Sequence, residues 1–176
     1  MKRLFFCTLL AIGFCLNLTA QTSYEVIVDR DGSKILKGII TRDLLEKDTS
    51  FNWYASNLKG YSPNADALNG LKKFGDSIQL LVFMGTWCDD SRYIIPKFYS
   101  LLDATAFPKE KITMIGVDRS KKSHSNLTDA LNIINVPTIL VMKKGREVGR
   151  VVEFGKYGTF DKELGEIILS IGTTAH

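Results

Sequence analysis

The chain has 176 residues, 45% of them apolar, with 23 basic and 19 acidic side chains for a formal charge of +4. That length and balance suit one globular domain with a proper core, and the small net charge argues against nucleic acid as a partner. The chain opens with Lys2 and Arg3, continues through an apolar stretch over residues 4–18, and reaches Thr19, Ala20 and Gln21. This order reads as a secretory signal peptide, residues 1–20, cut after Ala20. The stretch is shorter than the roughly 20 residues a spanning helix needs, so no membrane span is expected after cleavage. The bulky Phe14 before Cys15 argues against a lipid anchor there, and the expected location is exported, periplasmic or extracellular. Cleavage removes Cys7 and Cys15 and leaves 21 basic and 19 acidic side chains with one thiol, Cys88. An exported domain with one thiol has no internal disulfide, so Cys88 is either inert and buried or reactive.

Residues 21–63 read as an N-terminal extension. The segments YEVIVDR and SKILKGII flank Asp31 and Gly32, a strong hairpin signal. RDLLEKD follows as one or two helical turns, and then Phe51, Trp53, Tyr54 and Tyr61 form an aromatic stretch that either packs on the sheet or supplies a partner surface. Residues 64–176 form the main domain. Ala65, Leu68, Leu71 and Phe74 recur three apart and predict a helix with one packed face. IQLLVFMG is a continuous apolar run that suits a strand buried on both faces. Ile94, Ile95, Phe98, Leu101 and Leu102 predict a helix over 89–102. ITMIGVD is a second buried strand, NLTDALNII a short helix, and PTILVMKK with REVGRVVEF an antiparallel pair around Gly145. Phe160, Leu164, Ile167, Ile168 and Ile171 close the chain as an amphipathic helix capped by Thr159. The order implies an α/β fold, a mixed sheet flanked by helices.

The segment LVFMGTWCDDSRYIIP places Trp87 and Cys88 between a buried strand and a helix start. There the free amides and the positive end of the helix dipole favour thiolate, the attacking form. The blander reading is a small buried hydrophobe. Asp89 and Asp90 suit the first helical turn but oppose thiolate formation, and Arg92 reads as a solvated surface residue. Asp118 reads as a turn former. His124 and His176 share no ligand-like spacing with Cys88, so no metal site and no cofactor are expected.

These residues resemble the thioredoxin superfamily over about 64–171. The matching features are WCxxS at 87–91, Pro96 eight residues after the cysteine, NVPT at 135–138 and the glycine-turn hairpin GREVGRVVEFG. The resemblance implies a thioredoxin-like fold, here with an N-terminal β-hairpin extension. It implies that Cys88 attacks and that Pro137 is a cis-proline lying against it. It further implies that Val136 presents its backbone to an extended substrate peptide, and that Trp87 covers the thiol. Apart from the resemblance, Pro137 reads equally as a strand-initiating proline and Trp87 as core packing.

Three departures accompany these matches. Ser91 stands where relatives carry a resolving cysteine, and it is expected either to hydrogen-bond the sulfur or to be a relic. Val82 stands where the family keeps a buried acid, and Met114 where a lysine often accompanies it. The leading expectation is a monomeric thiol-disulfide redox protein with one catalytic cysteine, exchanging with protein or low-molecular-weight thiols and disulfides and released by an external thiol. A non-catalytic binding module that keeps the peptide groove is the second reading. Thiol peroxidase is the third, weakened because Gly85 occupies the position where that chemistry calls for threonine.

Overall fold

The computed structural model describes residues 23–173. The expected signal peptide, with Cys7 and Cys15, lies outside the described residues, as does His176. The described residues start with the expected hairpin, strands β1 (Tyr24–Val28) and β2 (Lys34–Ile40). The turn is closed by its own polar groups: Gly32 N–H donates to the Asp29 carbonyl, and Ser33 N–H donates to the Asp31 carboxylate. Helices α1 (Arg42–Lys47), α2 (Trp53–Ser56) and α3 (Ala65–Phe74) follow, with a 3-10 turn over Thr49–Phe51. The rest alternates as β3 (Gln79–Met84), α4 (Asp89–Ala104), β4 (Ile112–Gly116), α5 (Leu127–Ala130), β5 (Thr138–Lys143), β6 (Arg146–Val152) and α6 (Phe160–Ser170).

All six strands lie in one sheet, in the order β1-β2-β4-β3-β5-β6. β3 runs parallel to β4 and antiparallel to β5, and β2 joins the edge of β4 antiparallel, with Ile39 opposite Ile115. The hairpin therefore extends the central sheet. Side chains alternate across a strand, and β3 uses both directions. Leu80, Val82 and Met84 enter the larger core with Leu71 of α3, Phe98 of α4 and Leu164 of α6. Phe83 faces a smaller cluster with Ile115, Val117, Ile133, Val136 and Leu140, against which Trp87 and Cys88 pack. A strand buried on two faces has no polar side to show, which is why it reads as an unbroken apolar run.

The aromatic stretch belongs to the core, carried by helices rather than the sheet. Phe51 and Tyr54 are buried, α2 packs on α4, and Tyr61 stacks on Phe160 of α6 with ring centroids 6.2 Å apart. Helices α3 and α6 pack at backbone distance because residue 165 lacks a side chain. A Cβ built on Gly165 would stand 2.5 Å from the Ala67 nitrogen.

Local details differ from expectation at three places. α4 runs on to Ala104. The helix expected from NLTDALNII lasts only over Leu127–Ala130, because Asn132 turns left-handed at φ 52° and the chain cannot continue its spiral. Thr159 holds the N-cap position of α6 with an extended backbone but forms no side-chain cap bond.

Candidate active site

β3 ends at Met84 and α4 begins at Asp89, so four residues turn the chain at the C-terminal end of this central strand. Cys88 N–H donates to the Gly85 carbonyl at 3.0 Å and closes that turn. Cys88 is the N-cap residue of α4 and is partly exposed. Its sulfur does not cap the helix. The thiol donates instead to the Val136 carbonyl, with sulfur and oxygen 3.1 Å apart. The Val136–Pro137 peptide bond is cis, and the Pro137 carbonyl accepts from Glu153 N–H at 2.7 Å. The fold thus gathers Trp87, Cys88, Val136 and Pro137, with the chain leaving β6 alongside.

Ser91 is not part of this gathering. Its side chain is fully buried and its hydroxyl accepts from Gly85 N–H at 3.2 Å. Among the described residues no hydrogen bond joins Ser91 to Cys88, so the expected contact to sulfur is not formed. The third residue of the helix points back under the turn, where an unpaired backbone donor takes its oxygen. Ser91 acts here on the loop that carries the thiol.

Trp87 is held on several sides. Its indole N–H donates to the Val117 carbonyl at 3.0 Å. A Cβ at residue 85 would meet the indole at 2.8 Å, so the ring occupies space that only a glycine leaves free. The Arg119 guanidinium stands over the ring, 5.4 Å from its centroid, and pairs with Asp29 at the end of the hairpin. The Arg30 backbone donor and the Arg119 guanidinium hold the Asp29 carboxyl below the usual aspartate range. One residue before the indole, the fully buried Thr86 bridges to the hairpin. Its hydroxyl accepts from Leu36 N–H at 3.2 Å and donates to the Lys34 carbonyl at 3.0 Å. Arg92 is a tie rather than a solvated side chain, since its Nε donates to the Thr86 carbonyl at 2.8 Å. It also reaches the exposed Asp89 at 3.4 Å, a pair of little energetic weight.

Asp118 forms the turn after β4, accepting from Ser120 and Lys122 N–H groups, and meets Lys37 of β2 at 2.9 Å. Burial raises its carboxyl, but Lys37 and the two backbone donors outweigh that and hold it below the ordinary range. Val82, fully buried, lies directly opposite Met114 across the parallel strands. Where the resemblance implies an acid and often a lysine, this chain has an apolar pair. The Thr86 bridge to the hairpin and the Arg119–Asp29 pair do not show in the local sequence. The Arg119–Asp29 pair spans 90 positions and leaves no local signal. Among the described residues no group of three histidine, cysteine or carboxylate side chains is arranged to hold a metal ion, and no helix is long and apolar enough to cross a membrane.

Comparison with known proteins supplies the family. The thioredoxin family model matches residues 69–164, just over half of the chain. Thioredoxin of Echinococcus granulosus is 30% identical over 95 residues, covering 54% of this chain and 82% of that protein. Thioredoxin of Alicyclobacillus acidocaldarius is 23% identical over 94 residues, 53% of this chain and 85% of that protein. Among solved structures, an HIV epitope scaffold covers 74% of this chain and 90% of its own at 16% identity, with a TM-score of 0.51; that likeness concerns the fold alone. The hairpin and the aromatic stretch precede the matched region. The family model over residues 69–164 and the 30% identity to a thioredoxin place this chain in the thioredoxin family.

Proposed function

We propose that the protein carries out thiol-disulfide exchange through Cys88 alone. The observation that carries this reading is the placement of a partly exposed thiol against the Val136 carbonyl beside Pro137. Family membership supplies the class of chemistry. The Cys88 sulfur attacks one sulfur of a disulfide R–S–S–R′, a new Cys88–S–S–R bond forms, and R′S− leaves with the electron pair. It takes up the proton that Cys88 gave to solvent, so no net oxidation occurs. Ser91 offers no second sulfur, so an external thiol must attack the mixed disulfide and release Cys88. Partners are protein or low-molecular-weight disulfides, and the protein acts outside the cytoplasm after losing residues 1–20.

Incubation with oxidised glutathione tests the chemistry: intact-mass analysis should show one adduct on the wild type and none on Cys88→Ala. An unmodified wild type would overturn the reading. The amino terminus of protein recovered from the cell envelope tests the export, which an uncleaved Met1 would contradict.

A binding module remains the second reading. It is favoured by the apolar Val82–Met114 pair, which provides no proton relay behind the thiol. Full complementation by Cys88→Ser in cells lacking the protein would select it.

A further inference from the structure

Lys97 is a charged residue inside the apolar stripe of α4, flanked by Ile94, Ile95 and Phe98, and it is only 7% exposed. Its ammonium donates to the Asn57 carbonyl at 2.7 Å and to the Tyr93 carbonyl at 3.1 Å, and it lies 3.3 Å from the centroid of the Tyr93 ring. These dipoles orient the charge without neutralising it, and among the described residues no carboxylate lies within ion-pair distance of it. Burying a cation in that state is costly, and burial alone pushes the ammonium below the ordinary lysine range.

The Lys97 side chain also lines a groove of about 460 Å³ between α2, α4 and the loop from β6 to α6, with Tyr61, Tyr93, Phe154 and Asp161 among its walls. The exposed Lys59 adds a second positive charge at the rim. The one carboxylate among the lining residues, Asp161, accepts through one oxygen from Tyr61 O–H at 2.8 Å and from Asn64 N–H at 2.9 Å, neutral donors that orient its charge and hold it away from ion-pair distance of Lys97. The groove therefore carries two cations against one carboxylate, between aromatic walls.

Its wall is joined to the candidate active site. The Tyr93 and Phe154 rings meet with centroids 5.7 Å apart, and Phe154 follows Glu153, whose N–H is bonded to the Pro137 carbonyl. Along α4, Tyr93 and Lys97 lie five and nine residues beyond Cys88, about 7 to 14 Å at 1.5 Å per residue. An extended peptide covers that span in roughly two to four residues.

We propose that this groove receives an acidic side chain of the partner polypeptide, two to four residues from the cysteine whose disulfide Cys88 attacks. The inference rests on the monothiol reading for its chemistry and on the groove for its selectivity. The partner carboxylate supplies the counter-ion that Lys97 lacks, and its aliphatic stem lies along Tyr93 and Phe154.

Synthetic peptides provide the test. Each carries one cysteine as a mixed disulfide with 5-thio-2-nitrobenzoate, and either Glu or Gln placed two, three or four positions away. Attack by Cys88 joins it to the peptide sulfur and releases 5-thio-2-nitrobenzoate, which is read by absorbance. At peptide concentrations below saturation, the best-placed Glu peptide should react about tenfold faster than its Gln twin, the effect of one charge-assisted hydrogen bond. The ratio should fall to about one in Lys97→Met and survive in Lys97→Arg. Equal rates for Glu and Gln peptides with the wild type overturn the proposal, and that comparison needs no variant. If no peptide reacts, the monothiol reading fails by itself. Fluorescently labelled peptides with serine in place of cysteine then decide the groove by anisotropy: tighter binding of the Glu peptide supports it, and equal binding overturns it.

Discussion

Replacing Thr86 by valine removes one hydroxyl while keeping the shape of the side chain. In the wild type that hydroxyl serves two backbone groups of β2, the Leu36 N–H and the Lys34 carbonyl. Leu36 is buried, so its donor stays dry when the partner is lost, at a cost of about 1–3 kcal/mol. The Lys34 carbonyl lies closer to solvent and loses about 1 kcal/mol. Together these give about 3 kcal/mol, and with a urea slope of about 2 kcal/mol per M the unfolding midpoint falls by about 1.5 M. Thr86→Ser keeps the hydroxyl and loses one methyl, which costs about 1 kcal/mol. Urea titration followed by circular dichroism compares the three proteins, and hydrogen exchange at the Leu36 amide reports the site directly. If Thr86→Val unfolds within about 0.5 kcal/mol of the wild type, the turn carrying Cys88 is not tied to the hairpin in this way.

Three further perturbations address other parts of the argument. Val82→Asp restores a family-like acid opposite Met114, where nothing donates to it; its folded-state pKa rises, so stability should fall by about 1.4 kcal/mol per pH unit above about pH 4 until the group ionises. Equal urea midpoints at pH 4.5 and 7 would show that the site can solvate a carboxylate. Gly165→Ala forces a Cβ onto the backbone of Ala67 and should cost about 1–3 kcal/mol or more, whereas Gly70→Ala meets the Ile168 side chain at 3.1 Å and the Gly165 carbonyl at an ordinary contact distance of 3.5 Å. A thermal melt showing Gly165→Ala no worse than Gly70→Ala would contradict the close packing of α3 on α6. Asp118 should titrate below the ordinary aspartate value of 3.8. Its depressed carboxyl contributes stability above that value and loses it as pH falls through the folded pKa. Carboxyl carbon chemical shifts follow this, and a midpoint above 3.8 would remove Lys37 and the turn amides as its stabilising partners.

The legible parts of this protein are those written in short-range pattern. The hairpin announces itself through Asp31 and Gly32, whose turn closes within a few residues. β3 announces itself as an apolar run because both of its faces are covered. Cys88 stands out because strand, glycine, tryptophan and helix start are adjacent in sequence, and Pro137 because its neighbours repeat a family pattern.

Other features depend on residues far apart. Ser91 reads as a partner of the sulfur because three positions separate them, yet the helix turns its hydroxyl under the loop to Gly85. The aromatic stretch carries no periodicity, since its rings are distributed over α4 and α6 rather than along one face of their own element. Lys97 carries a faint signal, a charge within an apolar stripe, but its groove exists only where α2, α4 and the β6–α6 loop converge.

By itself the sequence determined the order of elements, the apolar faces that bury them, and the position of Cys88 at a helix start, because each follows from residues within one or two turns or strands of one another. Only the tertiary structure decided what surrounds that thiol. The Val136 carbonyl on its sulfur, the Arg119–Asp29 pair beside Trp87 and the hairpin tied to Thr86 join segments tens of residues apart. Contacts of that kind are set by which strand ends the sheet brings together, and no local pattern encodes them.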